Sequence, residues 1–401
     1  MALIVLEPGY EDNNSHHVNV NQQLIKACEQ ASLTLRILAS HSLDLPTKID
    51  ELIPDTVISF FNTPCYTNNL KPLDCAQEQM LANKFCTELQ QAQNEGLISS
   101  SDNLLMHTFY SFHILGLAIW LNKTKCGFKG KILLCAMFYP GRLKIEHQSE
   151  LDYFKLYTRY RLAFNMLSSV KNDNQVMLAT SCKRFVEAYK QCTNLNFKLH
   201  PAINFVEPIA VLDDAKAVKH VILYFGSVKR DKGLTWLVDI LPELLAEFSD
   251  IAFFIHFNEQ SPGARNFLSF KTQLEDLSDK FPHLSVCFSA MSQLEYESEL
   301  AKSHALVLMY DPTIYSNKTS GLLWDAVRYP HINLFCSNNS WVEREYLELG
   351  GQPITFEYGN TKAFKQCLAV WNQNENVTFV ANNYTGAISQ SFADWCLSLV
   401  R

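Results

Sequence analysis

The stretch VILYFGSVKRDKGLTWLVDILPELL, residues Val221 to Leu245, joins an apolar run to an amphipathic one through a glycine and several cations. The apolar run continues a strand predicted over 218–225, and the spacing of leucines after Leu234 predicts a helix over 234–248. A strand, a short turn and a helix form the repeating unit of a parallel sheet. This stretch therefore predicts an α/β fold.

The same alternation continues on both sides of this stretch. Further strands are predicted at 2–6, 34–38, 104–106, 131–138, 176–179, 251–257, 284–288, 305–310, 332–336 and 354–356, with helical patterns between most of them. Residues 199–211 contain Pro201 and Pro208 and show neither the helical nor the strand periodicity of apolar residues, which predicts a linker. We therefore expect two Rossmann-like, doubly wound halves that face each other across a cleft, where such folds bind ligands.

Composition excludes several classes of protein. The chain has 401 residues, of which 47% are hydrophobic and 19% charged, which is typical of a globular protein of two domains. The apolar runs are much shorter than the roughly 20 residues of a membrane-spanning helix, and MALIVLEPGY has no basic n-region, so it predicts a first strand and a cytoplasmic protein. The net charge of −7 arises mainly in the second half and argues against a nucleic-acid partner.

Cysteine and histidine spacing gives no sign of a disulfide framework or a metal centre. The 12 cysteines include no C-x-x-C pair, and several lie within apolar runs, which favours buried free thiols. The 12 histidines include no H-E-x-x-H or comparable spacing. The sequence therefore predicts no metal site.

The turn after the 218–225 strand has the composition of a phosphate site. Gly226 and Ser227 permit close approach to the backbone, and the cations Lys229, Arg230 and Lys232 can neutralise a phosphate beside the start of the next helix. Neither the dinucleotide-binding nor the Walker pattern is present, so a solvated basic turn remains the alternative.

A second strand, polar loop and helix start occupies 307–327. Near its helix start lie Lys318, Thr319, Ser320 and Gly321, and Asp325 follows one turn later. The helix start offers free N–H groups to an anion, and Asp325 could accept hydrogen bonds from ribose or sugar hydroxyls. Two helix starts that could each bind an anion, both in the second half, suggest a nucleoside diphosphate as the ligand. The alternative is that Ser320 is only an N-cap and Asp325 only a carboxylate favoured by the helix dipole.

These motifs in this order resemble the retaining glycosyltransferases of family 4, which have the GT-B architecture, in particular their bacterial polysaccharide-assembly members. The resemblance rests on 294–312, Ser320-Gly321 with Asp325-Ala326, Ser340-Trp341, and the Gly226 and Lys232-Gly233 turn. The second half differs from the family pattern at the turn and at the paired glutamates. Ser227 stands where an arginine is usual, so Arg230 or Lys229 would substitute for it, and Asn317 and Asp325 stand at the first and second of the paired glutamates.

The first half carries histidines at positions that the resemblance also marks. Gly9 and then Ser15, His16 and His17 follow the first strand and resemble the loop that faces the acceptor and the donor phosphates, with Ser15 in place of a glycine. His107 follows the strand at 104–106 and resembles the family's active-site histidine. Exposed loop histidines, and a histidine that only caps a strand, are the alternatives.

The resemblance implies transfer of a hexose from a nucleoside-diphosphate sugar with retention of configuration, and no cofactor beyond that co-substrate. The acceptor would be a glycan, a lipid-linked molecule or a protein, bound by an acceptor domain at 1–205. The donor domain would be 206–385, and a terminal helix in 386–401 would cross back to the first domain. His107, Arg230 and Lys232 would be catalytic.

Two other interpretations stay open. The differences at Ser15, Ser227 and Asn317 favour a catalytically weak or inactive protein that binds a nucleotide sugar or a glycan. An epimerase of the same fold is less favoured, because the resemblance at 310–325 is to transferases. The cations Lys123, Lys125, Lys129, Lys131, Arg142 and Lys144 are typical of a solvated face or of peripheral contact with anionic lipid.

Overall fold

The computed structural model describes residues 1–11, 16–43, 56–65, 73–123, 127–141, 149–170, 175–201, 218–259, 267–373 and 391–400. The side chains of His16, Arg230 and Gln293 are outside this description. Tertiary contacts divide the chain into two compact units. Unit 1 comprises Met1–Asn204 with Gln390–Arg401, and unit 2 comprises Phe205–Ser389.

Unit 1 is built on a parallel sheet with seven strands among its described residues. The strands are β1 (Leu3–Glu7), β2 (Leu35–Ser40), β3 (Val57–Phe61), β4 (Asn103–Met106), β5 (Ile132–Ala136), β6 (Val176–Thr180) and β7 (Lys198–Leu199), in the spatial order β3-β2-β1-β4-β5-β6-β7. The helices are α1 (His16–Gln30), α2 (Cys75–Asn94), α3 (Ser111–Lys123), α4 (Glu150–Val170), α5 (Lys183–Thr193) and the terminal α12 (Phe392–Val400). The order places β1 and β4 side by side, so residues that follow these two strands meet at one edge.

The terminal helix α12 belongs to unit 1. Its apolar face, which includes Phe392, Cys396 and Val400, is buried in the same core cluster as β1 and α1. The Asn103 side chain donates a 2.7 Å hydrogen bond to the Val400 carbonyl, which satisfies an acceptor at the helix C-terminus. Burial of this apolar face explains why the last residues of the chain pack on the first unit rather than on the one that precedes them.

Unit 2 is built on a second parallel sheet, with six strands among its described residues. The strands are β8 (Lys219–Tyr224), β9 (Ile251–His256), β10 (Leu284–Cys287), β11 (Ala305–Leu308), β12 (Asn333–Ser337) and β13 (Ile354–Phe356), in the order β10-β9-β8-β11-β12-β13. The helices are α6 (Leu234–Glu247), α7 (Leu268–Lys280), α8 (Gln293–Lys302), α9 (Gly321–Val327), α10 (Trp341–Glu348) and α11 (Thr361–Gln373). Because β8 and β11 are neighbours, the loops that follow them lie side by side.

The predicted α/β fold of two doubly wound, Rossmann-like units is confirmed. Strand β3 was not predicted, because its three inner residues are partly or fully solvent-exposed and Ser59 interrupts its apolar run. The helix that follows the second predicted polar loop, α9, begins at Gly321 and has only 7 residues. Among the described residues, no helix is long and apolar enough to cross a membrane.

Candidate functional site

The loop after β8 folds against the side chain of Tyr224. The tyrosine hydroxyl donates to the Ser227 carbonyl at 3.1 Å and accepts from the Lys229 backbone N–H at 3.2 Å. Between these contacts Gly226 has a φ of +95°, a backbone conformation that L side chains rarely adopt. The glycine therefore allows the chain to turn at the carboxyl edge of the sheet.

Lys232 returns from the end of this loop to the glycine. Its Nζ lies 3.8 Å from the position that a Cβ on Gly226 would occupy and donates to Ser227 Oγ at 3.4 Å. The pKa of Lys232 is lowered to about 7, first by burial and then by the positive charges of Lys229 and Lys318. A half-buried ammonium near neutral pKa, surrounded by further cations, favours an anionic ligand.

Lys318 comes from the loop after β11 and joins the same group of charges. It forms an ion pair with Asp231, and its ammonium lies 4.6 Å from the centre of the Tyr315 ring. The Asp231 carbonyl also accepts a 2.9 Å hydrogen bond from the Asp311 backbone N–H, which ties the two loops together. We call Lys229, Lys232 and Lys318 with Asp231 the cation cluster. Three positive charges and one negative charge leave it with an excess of positive charge when all four groups are ionised.

Gly233 makes the approach of the two loops possible. A Cβ on this residue would lie 2.1 Å from the Met309 carbonyl oxygen, and its φ is +79°. Because both the backbone conformation and the space exclude a side chain, only glycine fits between the start of α6 and the end of β11. The Lys232-Gly233 pair found in the sequence therefore supplies a cation and the close packing that places it.

The second predicted helix start is more enclosed than expected. Ser320 Oγ lies 3.0 Å from the Tyr310 hydroxyl, and Asp325 is 8% exposed. Asp325 accepts hydrogen bonds from the Tyr296 hydroxyl at 2.8 Å and from Arg328 at 3.2 Å. Burial raises the pKa of Asp325 to about 6, with Arg328 acting in the opposite direction. Both carboxylate oxygens thus have protein partners, and the role of Asp325 as a ribose ligand stays a prediction.

A buried ion-pair network behind Asp325 was missed by the sequence analysis. Arg328 binds Glu297 through two hydrogen bonds, of 2.9 and 3.2 Å, and the Tyr329 hydroxyl donates to the same carboxylate at 2.6 Å. Glu297 and Arg328 lie 31 positions apart on α8 and at the end of α9, so no local spacing connects them. The network holds the short helix α9 against α8 and thereby fixes Asp325.

Unit 1 brings together three side chains at the edge formed by β1 and β4. Glu7 ends β1, His17 lies in the first turn of α1, and His107 follows β4, and all three are 0% exposed. His17 Nδ1 lies 2.7 Å from one oxygen of Glu7, and His107 Nε2 contacts the other. Burial acts to raise the pKa of Glu7, but the charges of His107 and His17 outweigh it and hold the pKa far below its ordinary value.

Two of the histidines predicted as site residues in unit 1, His17 and His107, are buried. His107 lies where the sequence placed it, immediately after β4, but its ring is enclosed by Glu7, the Thr108 hydroxyl at 3.4 Å and Phe392 at 6.4 Å between ring centres. His107 is therefore buried among the described residues, and its catalytic role stays a prediction. His17 is equally buried and packs on Gly9, since a Cβ there would lie 3.1 Å from His17 Nε2. Ser15 lies outside the described residues.

The chain resembles known proteins in structure and not in sequence. No protein-family model matches the chain, and no curated protein sequence matches it either. Among solved structures, a UDP-forming α,α-trehalose-phosphate synthase from Burkholderia xenovorans, in complex with glucose-6-phosphate, aligns with a TM-score of 0.63. It is 11% identical, and the alignment covers 99% of this chain and 98% of that one.

Two further structures align over nearly their full length. The sucrose-phosphate synthase of Thermosynechococcus elongatus is 13% identical, with a TM-score of 0.54 and coverage of 100% of this chain and 95% of that one. The N-terminal domain of trehalose-6-phosphate phosphatase from Candida albicans is 8% identical, with a TM-score of 0.63 and coverage of 99% and 98%. The chain has the GT-B fold.

The position of the cation cluster within the GT-B fold makes it a candidate ligand site. At identities of 8 to 13% the likeness establishes the fold alone. Within that fold, the cluster lies at the carboxyl ends of β8 and β11, the edge of a doubly wound sheet where ligands bind. The sequence predicted its cations Lys229, Lys232 and Lys318, whereas Asp231 and the neighbouring Tyr315 were not predicted.

Proposed function

We propose that this GT-B protein is a glycosyltransferase that transfers a hexose from a nucleoside-diphosphate sugar to an acceptor with retention at the anomeric carbon. The observation that carries the proposal is the cation cluster, in which Lys232 has its pKa lowered by burial and by neighbouring cations. Such a site is stabilised by an anion of two or more charges. A diphosphate at the edge of the second sheet satisfies this requirement.

The chemical task explains why the cations would matter for rate as well as for binding. In the transfer, the bond between the anomeric carbon and the diphosphate oxygen breaks, and its electron pair stays on the phosphate. A bond to the acceptor oxygen forms, and the acceptor hydroxyl loses its proton. Lys232 would stabilise the charge that develops on the leaving phosphate, and Lys318, held by Asp231, would add to the same field. Arg230 stays a proposed contributor from the same turn.

The other residues proposed to bind the donor lie in or next to the loops after β8 and β11. Gly226 and Ser227 would approach the diphosphate, and Thr319, Ser320 and Gly321 would border it from the loop after β11. Asp325, held by Tyr296 and Arg328, would shape the donor site rather than act alone. The acceptor would bind to unit 1 and would be a glycan, a lipid-linked molecule or a protein, as in the polysaccharide-assembly members of family 4.

A donor and acceptor screen tests the proposal directly. Because one neighbour is named as UDP-forming and was solved with glucose-6-phosphate, UDP-glucose with sugar phosphates is the first combination, followed by other nucleotide sugars and by lipid-linked acceptors. We expect nucleoside diphosphate to raise the melting temperature of the chain by mass action and one nucleotide sugar to be consumed. Retention would appear as an α-linked product from an α-linked donor in the NMR spectrum. Absence of both binding and turnover across the panel would overturn the proposal.

A binding protein without turnover is the second candidate. The observation that favours it is the alignment to the N-terminal domain of a protein named as a phosphatase, which shows that this fold occurs outside proteins named as synthases. Ser227, in place of the family's arginine, favours it as well. This candidate predicts a nucleoside-diphosphate shift in melting temperature without consumption of any nucleotide sugar, a result that the same screen detects.

Diphosphate binding is expected to depend on pH through Lys232. Because the pKa of Lys232 is lowered to about 7, its amino group is largely uncharged at pH 8.5. A bound diphosphate would raise this pKa again. Affinity should therefore fall as pH rises from 6 to 9, and binding at pH 8 should take up a proton. Calorimetry in two buffers of different ionisation enthalpy measures this uptake, which should disappear in Lys232→Met.

A further inference from the structure

We propose that Glu7, His17 and His107 form a binding site for a divalent transition-metal ion of the zinc type. One carboxylate oxygen and one nitrogen from each histidine lie within 4.8 Å of one another. The three residues come from the end of β1, the start of α1 and the residue after β4, so a bound ion would join three elements of unit 1. This site does not depend on the proposed function.

The donor set selects the class of metal. Two imidazole nitrogens and one carboxylate oxygen form a ligand set that zinc and neighbouring divalent ions use in proteins, whereas magnesium and calcium prefer oxygen ligands alone. All three side chains are 0% exposed, which distinguishes them from a surface cluster of acidic residues. Three protein ligands leave the fourth position of a tetrahedral zinc ion open.

The same three groups also suit a hydrogen-bonded triad, in which both histidines donate to Glu7. Each histidine nitrogen contacts one oxygen of Glu7, and these contacts lower the pKa of the carboxyl. A buried carboxylate is costly unless it is hydrogen-bonded or bound to a cation. A metal ion compensates its charge through the lone pairs of all three groups and needs no aligned N–H.

The surroundings of the ligands supply the support that metal sites need. Nδ1 of His107, the ring nitrogen that faces away from Glu7, lies 3.4 Å from the Thr108 hydroxyl, and such outer contacts fix the orientation of a ligating imidazole. His17 is held on its other side by Gly9, where a Cβ would lie 3.0 Å from the ring. Both rings are therefore held toward Glu7, and each ligating nitrogen would move away from its carboxylate oxygen when an ion enters between them.

Metal content of the full chain tests this proposal without any assay of activity. After reconstitution with zinc and dialysis into metal-free buffer, elemental analysis is expected to find about one ion per chain in the wild type. Glu7→Gln and His107→Gln should each lower this content at least tenfold. His256→Gln, which changes a buried histidine of unit 2, should leave it unchanged and serves as the matched control.

A measurement on the wild type keeps the proposal testable if the variants do not fold. Cobalt substitution should give the visible absorption bands of a site with nitrogen and oxygen ligands, and zinc should raise the melting temperature. A wild type that retains no metal and shows neither effect would overturn the proposal. Metal content that persists in correctly folded Glu7→Gln and His107→Gln would also overturn it, because the ion would then be bound elsewhere.

Discussion

Replacement of Lys232 by alanine is expected to lower turnover with a nucleotide-sugar donor about 100-fold, which corresponds to about 3 kcal/mol of transition-state stabilisation. The reason is that its Nζ lies beside Gly226 and Ser227, at the sheet edge where the diphosphate would leave. Removal of a cation whose pKa is lowered by burial relieves the native structure of a desolvated charge, so the melting temperature should not fall. Steady-state kinetics at saturating donor, together with a thermal melt, measures both effects.

Two further variants test whether the loss of turnover depends on the position of Lys232 or follows from the loss of any cation. Lys302→Ala removes an exposed cation at the end of α8, which pairs with Glu299, and should leave turnover within twofold of the wild type. Lys232→Arg keeps the charge and should recover part of the lost turnover. If Lys232→Ala turned over like the wild type at saturating donor, the assignment of the leaving-group site to the cation cluster would be wrong.

The second large effect concerns stability. Gly233→Ala is expected to lower the free energy of unfolding by about 3 kcal/mol or more, because the added Cβ would lie 2.1 Å from the Met309 carbonyl oxygen and the backbone has a φ of +79°. The loops after β8 and β11 would have to separate, so diphosphate binding should weaken as well. Urea unfolding and calorimetry measure the two quantities.

Gly350→Ala is the matched control for this prediction. Gly350 has a φ of +83°, nearly the same as that of Gly233, but a Cβ there would meet no atom within 4 Å. Its replacement should therefore cost only the backbone strain, about 1 kcal/mol. Equal losses for the two variants would show that strain alone acts at Gly233 and that the contact with Met309 does not join the loops.

The sequence by itself determined the fold class and the location of one candidate site. Apolar runs alternate with helical patterns because buried parallel strands need continuous apolar residues and their connecting helices need one apolar face. The turn from Gly226 to Gly233 could be recognised because its glycines, its cations and the following helix are neighbours in the chain. Strand β3 could not be recognised, because Ser59 interrupts its short run of apolar residues.

Only the tertiary structure decided which distant residues share a site. Glu7, His17 and His107 are separated by up to 100 positions and meet because β1 lies next to β4 in the sheet, so their spacing matches no local metal motif. Glu297 likewise reaches Arg328, which also binds Asp325, because α8 lies against α9. Local patterns fix the conformation of short segments, whereas the order of strands in a sheet depends on packing across the whole unit, and that order determines which side chains become neighbours.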